Sequence, residues 1–425
     1  MRKILIHNSA SCFDYSIVSN FKACYKNFYN SGNCLFFFAF EKFLRNHNIS
    51  YECSTAYSAD YINDNFDCVV ELRANIFQKD TYYLDYFYKS LIGVKIPIFF
   101  LTTGIQAENE SDLDSLVDSI GDKSKKLIDL VYASGGEFGL RGNYSKCFFD
   151  ILTPNTAEII GCASFLLADK SLNISNNKVN LENFKPAING HIKDIKTKYF
   201  ETIILNNSSL EYLDQDEFGK FLYKNDNENY IQLVRQYSKL GCDLLIKNKV
   251  NLFYSVPEWS EYVKDKFNFV FGTRIHGSIL AILNKIPALV FCKDLRVKEL
   301  CDFYSIPYIC KENKLSLFEL YNGADYSKFN KNFNSKYDLL INFLQKHNII
   351  SSSDLQSSAN NCSYNIDSAH IQKVNNIVNI PSKNELYVKL FNTYIKYIIY
   401  KGVGGGQDQF LDIRTIKYLL GILKV

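Results

Sequence analysis

The sequence predicts an α/β protein built on parallel, doubly wound sheets, and three observations carry that expectation. Short apolar runs alternate with longer stretches of helical spacing, the pattern of βα units. Two successive runs near the middle of the chain end in loops that carry arginine. With 425 residues the chain exceeds the size at which one core stays single, so two domains are expected.

The elements follow in order. Lys3–Ile6 opens the chain as a strand, and Cys34–Leu44 reads as a helix through Leu35, Phe36, Phe40, Phe43 and Leu44. Phe66–Leu72, Ile96–Leu101 and Ala157–Ile160 read as further strands, completing a first unit over residues 1–175. Lys170–Lys196 is rich in Asn, Ser and Lys, which places a connection at 176–200. A second unit, 201–350, is expected to open with a strand at Thr202–Leu205. It continues with a helix at Tyr230–Leu240 and a strand at Val250–Tyr254, and closes near His347. A Ser/Asn-rich linker, 351–384, then leads to a helical extension, 385–425. Within it Leu386, Leu390, Tyr394 and Ile398 recur at helical spacing with lysines between. This suits packing back on the body of the protein, or a peripheral position at a membrane face.

The segment most informative about function is Val270-Phe271-Gly272-Thr273-Arg274-Ile275-His276-Gly277. It reads as a buried strand, a tight loop and the start of an apolar helix. A helix start of this kind presents free N–H groups and a positive dipole end to an anion. Arg274 adds a planar fork suited to phosphate or carboxylate, and His276 a group that titrates near neutral pH. The next unit repeats the plan: a strand at Pro287–Cys292, then Lys293-Asp294-Leu295-Arg296, then a helix from Val297 to Phe303. Ligands of open α/β sheets sit outside the carboxyl ends of the strands, so Arg274, His276 and Arg296 are expected to converge. An ion pair of Arg296 with Asp294 or Glu299 on a solvated face is the competing reading for the second loop.

Composition narrows the partners. A formal charge of +3, from 48 basic and 45 acidic residues, gives no footprint for nucleic acid. Lys123-Ser124-Lys125-Lys126 reads as a solvated helix face. Twelve cysteines show no CxxC and no Cys/His spacing for zinc, so no metal is expected. With Cys68, Cys162 and Cys292 inside apolar runs and no secretion signal at Met1–Ile6, the expected compartment is the cytoplasm. Asp214-Gln215-Asp216 matches an Asp-x-Asp pattern for a metal-bound diphosphate but reads as a solvated loop. Gly402–Gly406 lacks the βαβ setting of a phosphate loop.

The same residues resemble a known family. Gly272–Gly277, followed by Asp294-Leu295-Arg296-Val297-Lys298-Glu299-Leu300 and Ile306-Pro307, resembles the C-terminal signature of polysaccharide pyruvyl transferases. Upstream, Glu258-Trp259, Arg141-Gly142 with Tyr144-Ser145, and Gly161-Cys162-Ala163-Ser164 resemble further blocks in the same order. Asn30-Ser31-Gly32-Asn33, Ala74-Asn75 and Gly104-Ile105-Gln106 are weaker echoes. The chain departs from the family pattern at Asn33, where Asp is frequent, at Arg73, where small residues are usual, and at Ala163, where Pro is common.

The resemblance implies a GT-B-like fold, two Rossmann-like domains facing a central cleft. It also implies transfer of the pyruvyl group of phosphoenolpyruvate onto two hydroxyls of a sugar, in a cell-surface polysaccharide or its lipid-linked precursor. The product is a cyclic ketal, and phosphate is released. On this reading phosphoenolpyruvate is a substrate and no cofactor is needed. His276 is the general acid, Asp294 or Glu299 the base, and Arg274, Arg141 and Arg296 hold the donor together with Thr273 and Gly277. Asn33, Asn75 and Gln106 lie on the acceptor side. A nucleotide-sugar glycosyltransferase of the same architecture, and a non-catalytic subunit of glycan assembly, are the alternatives.

Overall fold

The computed structural model describes residues 2–14, 17, 21–175, 179–190, 197–207, 209–215, 250–253 and 255–357. The expected helix at Tyr230–Leu240, Asp216, the extension over 385–425 and Gly402–Gly406 lie outside the described residues, as does the linker beyond the short helix Ser352–Ser357.

The first sheet is wholly parallel. Its strands are β1 (Lys3–Ile6), β2 (Ser50–Cys53), β3 (Cys68–Leu72), β4 (Asn75–Phe77), β5 (Ile98–Ile105), β6 (Glu137–Leu140) and β7 (Ala157–Ile159). They run in the order β2-β1-β3-β5-β6-β7, with β4 paired to the far end of β5. Every residue of β3 and β5 is buried, because helices cover both faces of such a sheet. Those helices include α1 (Ser31–Asn46), α2 (Tyr82–Leu91), α3 (Leu113–Ala133) and α4 (Asn143–Leu152). The order reverses between β1 and β3, which makes their carboxyl ends a topological switch point.

The second sheet comprises β8 (Pro186–Asn189), β9 (Glu211–Asp214), β10 (Val250–Leu252), β11 (Phe269–Gly272), β12 (Ala288–Phe291) and β13 (Tyr308–Ile309). It too is parallel, in the order β10-β9-β8-β11-β12-β13, the Rossmann arrangement with its switch point between β8 and β11. Its helices include α5 (Lys198–Leu205), α6 (Val256–Lys266), α7 (Ile275–Leu283), α8 (Leu295–Tyr304) and α9 (Ser327–Lys346).

Two expectations are corrected here. The connection at 176–200 contains β8, a central strand of the second sheet. Its apolar content is only Ala187 and Ile188, and proline at its first position is tolerated in a strand, so the polar flanks conceal it. Thr202–Leu205 is the end of α5 and not a strand. Thr197 caps that helix by accepting from Phe200 N, and Tyr199, Phe200, Ile203 and Ile204 form its buried stripe at helical spacing.

The two halves share an apolar core in which Ile6, Phe36 and Ile160 join Ile188, Ile279 and Phe333. Polar links cross between them: Ser31 N donates to Gln215 O (3.0 Å), Leu295 N to Ala107 O (3.2 Å) and Cys162 N to Tyr304 Oη (3.0 Å). At Gly161, whose φ is +78°, a Cβ would stand 2.2 Å from Tyr304 Oη, so only glycine permits this approach. Helix α9 runs back to the first half, where Lys346 Nζ meets Glu137 at 3.0 Å. The result is a GT-B-like fold, two Rossmann-like halves whose strand ends face one cleft. Among the described residues no helix is long and apolar enough to cross a membrane.

Candidate functional site

The cleft encloses about 940 Å³ between the carboxyl ends of the two sheets. From the first half it is lined by Asn33, Asn75, Gln106 and Arg141; from the second, by Thr273, Arg274, His276, Asp294 and Arg296. These nine were singled out from the sequence, and the fold brings them together from distant parts of the chain.

Arg274 and His276 owe their position to the pairing of β11 with β8. Gly272 lies opposite Asn189, and a Cβ on Gly272 would fall 1.5 Å from the Asn189 carbonyl oxygen. Beyond the strand, Thr273 N donates to Asn189 O (2.9 Å) and Arg274 N to Asn189 Oδ1 (3.1 Å), while Asn189 Nδ2 donates to Ser278 Oγ (3.2 Å). One buried asparagine thereby fixes the loop that carries the arginine. Arg274 is the N-cap residue of α7 and makes no side-chain cap, and Ile275 and His276 of the first turn line the cleft. Gly277 does not line the cleft. It lies behind, where a Cβ would stand 2.5 Å from Gln215 Nε2 and 2.6 Å from Asn189 Nδ2.

His276 is held between the halves. Its Nε2 lies 3.8 Å from Cys162 Sγ, and its ring centroid lies 5.5 Å from that of Phe36. A Cβ on Gly32, in the first turn of α1, would meet His276 Nδ1 at 3.0 Å. Burial, then the charges of Arg141, Arg274 and Arg296, pull its pKa well below the ordinary histidine range. The ring is therefore neutral near pH 7 while no anion is bound.

Arg141 follows β6 and is only 2 % exposed. Its Nε donates to Thr102 O at 2.9 Å, and its Nη2 has no hydrogen-bond partner among the described residues. Burial draws its pKa down, and the charges of Cys162 and Glu299 oppose that pull. A buried guanidinium with an unmet donor at a cleft wall is suited to an anionic ligand.

Asp294 caps α8, accepting from Val297 N at 3.1 Å, and pairs with Arg296 Nη2 at 2.7 Å. With the Asn75 amide turned so that its nitrogen donates to Ala74 O, its oxygen accepts from Arg296 Nη1 at 2.7 Å. Arg296 thus spans the two halves. Glu299 does not line the cleft. Buried behind Arg141, it takes the Ser145 N–H and hydroxyl, and burial raises its pKa to about 7 against those bonds and Arg141. Glu299 therefore stands behind the cleft wall, bonded to Ser145 of the other half.

Asp214, expected in a solvated loop, ends β9 and is 1 % exposed; Tyr212 Oη donates to it at 3.4 Å. The apolar Tyr212-Leu213 pair draws the segment into the sheet. Sequence reasoning missed Asn189, which lies in a short polar context without a motif, and met Gln215 only as the middle residue of the Asp-x-Asp match. Asn30 entered only within a family block, and Cys162 only there and as a cysteine inside an apolar run.

The family model for polysaccharide pyruvyl transferase matches residues 30–291, more than half of the chain. The chain belongs to the polysaccharide pyruvyl transferase family. The matched stretch begins at the N-cap of α1 and ends with β12, so it includes Arg141, Arg274 and His276 but stops before Asp294 and Arg296. No curated protein matches the sequence. Among solved structures, a UDP-GlcNAc 2-epimerase from Neisseria meningitidis bound to UDP-GlcNAc is similar at 11 % identity and a TM-score of 0.40, covering 80 % of this chain and 94 % of that one. The glycosyltransferase SnogD from Streptomyces nogalater is similar at 10 % identity and a TM-score of 0.33, covering 81 % and 95 %. A Klebsiella pneumoniae protein is similar at 13 % identity and a TM-score of 0.37, covering 73 % and 93 %.

Proposed function

We propose that this member of the family is an enzyme that transfers the pyruvyl group of phosphoenolpyruvate to two hydroxyls of a saccharide. The observation that carries the reading is the placement of Arg141, Arg274 and Arg296, from both halves, around His276 in one cleft. Phosphoenolpyruvate bears a phosphate and a carboxylate close together, and both need charge-assisted donors in fixed geometry.

The chemistry follows from that placement. Arg274, Arg141 and the first turn of α7 hold the donor's anionic groups, and Arg296 steadies the acceptor side through Asn75. Donor binding offsets the positive field around His276 and lets the ring take a proton. His276 delivers that proton to C3 of the enol, C2 becomes electrophilic, and the first sugar hydroxyl adds to it. The hydroxyl proton passes to the site base, Asp294. In the second stage the C2–O bond to phosphate breaks, the second hydroxyl closes on C2, and its proton leaves with phosphate. One donor and two hydroxyls therefore give one ketal and one phosphate.

The test is a thermal-shift titration of the wild type with phosphoenolpyruvate, with a panel of nucleotide sugars for comparison. A ligand that binds only the folded state raises apparent stability by mass action. Stabilisation by phosphoenolpyruvate is expected. Stabilisation by a nucleotide sugar alone would transfer the protein to the glycosyltransferases.

A further inference from the structure

The carboxyl ends of β1 and β3 mark the switch point of the first sheet, and the chain leaving β3 runs from there through Ala74 and Asn75 into the cleft wall. The floor at this switch point is polar. His7 Nδ1 bonds to the fully buried Glu71, Arg73 Nε lies 3.3 Å from the other Glu71 oxygen, and Arg73 Nη2 donates to His7 O at 3.0 Å. The Arg73 guanidinium sits 5.5 Å from the Phe37 ring centroid and 5.3 Å from that of Phe87. Its charge is met by Glu71, so it offers donors without net charge.

Above this floor stand four exposed tyrosines. Tyr29 and Tyr82 are 61 % and 64 % exposed, and Tyr83 and Tyr86 are 38 % and 37 % exposed. Tyr82 and Tyr86, one turn apart on α2, hold their rings within 17° of parallel at 6.4 Å. Tyr29 adopts a φ of +65°, unusual for a residue with a side chain, immediately before the cleft residue Asn30. Burial and then Tyr29 push the Tyr83 hydroxyl upward in pKa; burial and then Glu71 do so for Tyr86. Tyr29, Tyr83, Tyr86, Arg73 and Glu71 are therefore neighbours, and the Tyr83 and Tyr86 hydroxyls stay protonated donors. Gln78, Lys79 and Asp80, which lead into α2, line the cleft itself.

A pyranose has an apolar C–H face and a rim of hydroxyls. Tyrosine offers a ring face and a polar tip to match, and exposed aromatic clusters mark binding surfaces. A floor with compensated charge favours a neutral ligand over an anion. We propose that Tyr29, Tyr83 and Tyr86, over Arg73, form a shelf that seats a neutral sugar ring of the acceptor glycan and aligns it with the cleft. This rests on the saccharide acceptor of the proposed function and names where it is held.

The test applies the full chain to a printed array of neutral hexose and N-acetylhexosamine oligosaccharides. The wild type is expected to bind, and the Tyr83→Ala/Tyr86→Ala variant to lose roughly tenfold in affinity. Tyr83→Phe/Tyr86→Phe, which keeps the ring faces, is expected to retain most binding. Array signal undiminished in the alanine variant, or no signal from the wild type, would overturn the shelf. So would loss in that variant of binding to phosphatidylglycerol vesicles in place of glycan, which would mark a membrane face. Thermal shift with phosphoenolpyruvate separates the two readings. An unchanged shift in the alanine variant shows an intact fold and donor site. A wild type that binds glycan through the tyrosines but ignores phosphoenolpyruvate keeps the shelf and defeats the donor assignment.

Discussion

The Glu299 carboxylate, on α8 of the second half, receives both the backbone N–H of Ser145 (3.1 Å) and its hydroxyl (2.9 Å) from α4 of the first. This contact ties together the two walls that carry Arg296 and Arg141. Its carboxyl pKa is raised from 4.5 to about 7, chiefly by burial. Between those values the unfolded chain has released the proton while the folded protein keeps it. Stability should therefore fall as pH rises from about 4.5 to about 7 and level off above. Glu299→Gln cannot titrate, so the variant should gain on the wild type across that window in urea unfolding. A difference that does not change with pH would reject this account of the contact.

Gly272 and Asn189 make a tighter demand. A methyl group on Gly272 would overlap the Asn189 carbonyl, and both belong to central strands that cannot part without breaking the sheet. Gly272→Ala should cost at least roughly 1–3 kcal/mol in denaturant unfolding, the range for overpacked interiors. Stability within error of the wild type would show that β8 and β11 are not paired in this register.

Much of this arrangement was legible in the sequence. The strand–loop–helix reading of Val270–Leu283 and the convergence of Arg274, His276 and Arg296 follow from periodicity and chemistry alone. Arg141 needed the family pattern, because a single arginine after a short strand carries no signal of its own. Strand β8 was hidden by its length, and Asn189 with it, since its role arises from pairing with a strand some 80 residues away. The setting of Glu299 was hidden for a related reason: helical spacing puts it near Arg296 in sequence, while its partner Ser145 comes from the other half. The tyrosine shelf was illegible because exposure is a property of the fold.

His276 supplies a proton-linkage test. Burial and three arginines hold its pKa low, and an anionic donor should raise it. Donor binding should therefore take up a proton, and affinity should rise as pH falls through the pKa of the bound form. Calorimetry of phosphoenolpyruvate binding near neutral pH, in buffers of different ionisation enthalpy, should show uptake in the wild type beyond that in His276→Gln. Equal proton counts in the two proteins would remove His276 from the acid role.

The central claim is that one donor anion is held by arginines from both halves. Isothermal titration of phosphoenolpyruvate into wild type, Arg141→Ala and Arg274→Ala tests it directly. Each charged hydrogen bond is worth about 1.5–3 kcal/mol, so each substitution should weaken binding by roughly 10- to 150-fold. Binding of phosphoenolpyruvate to either variant with wild-type affinity, or no binding to the wild type, would contradict it.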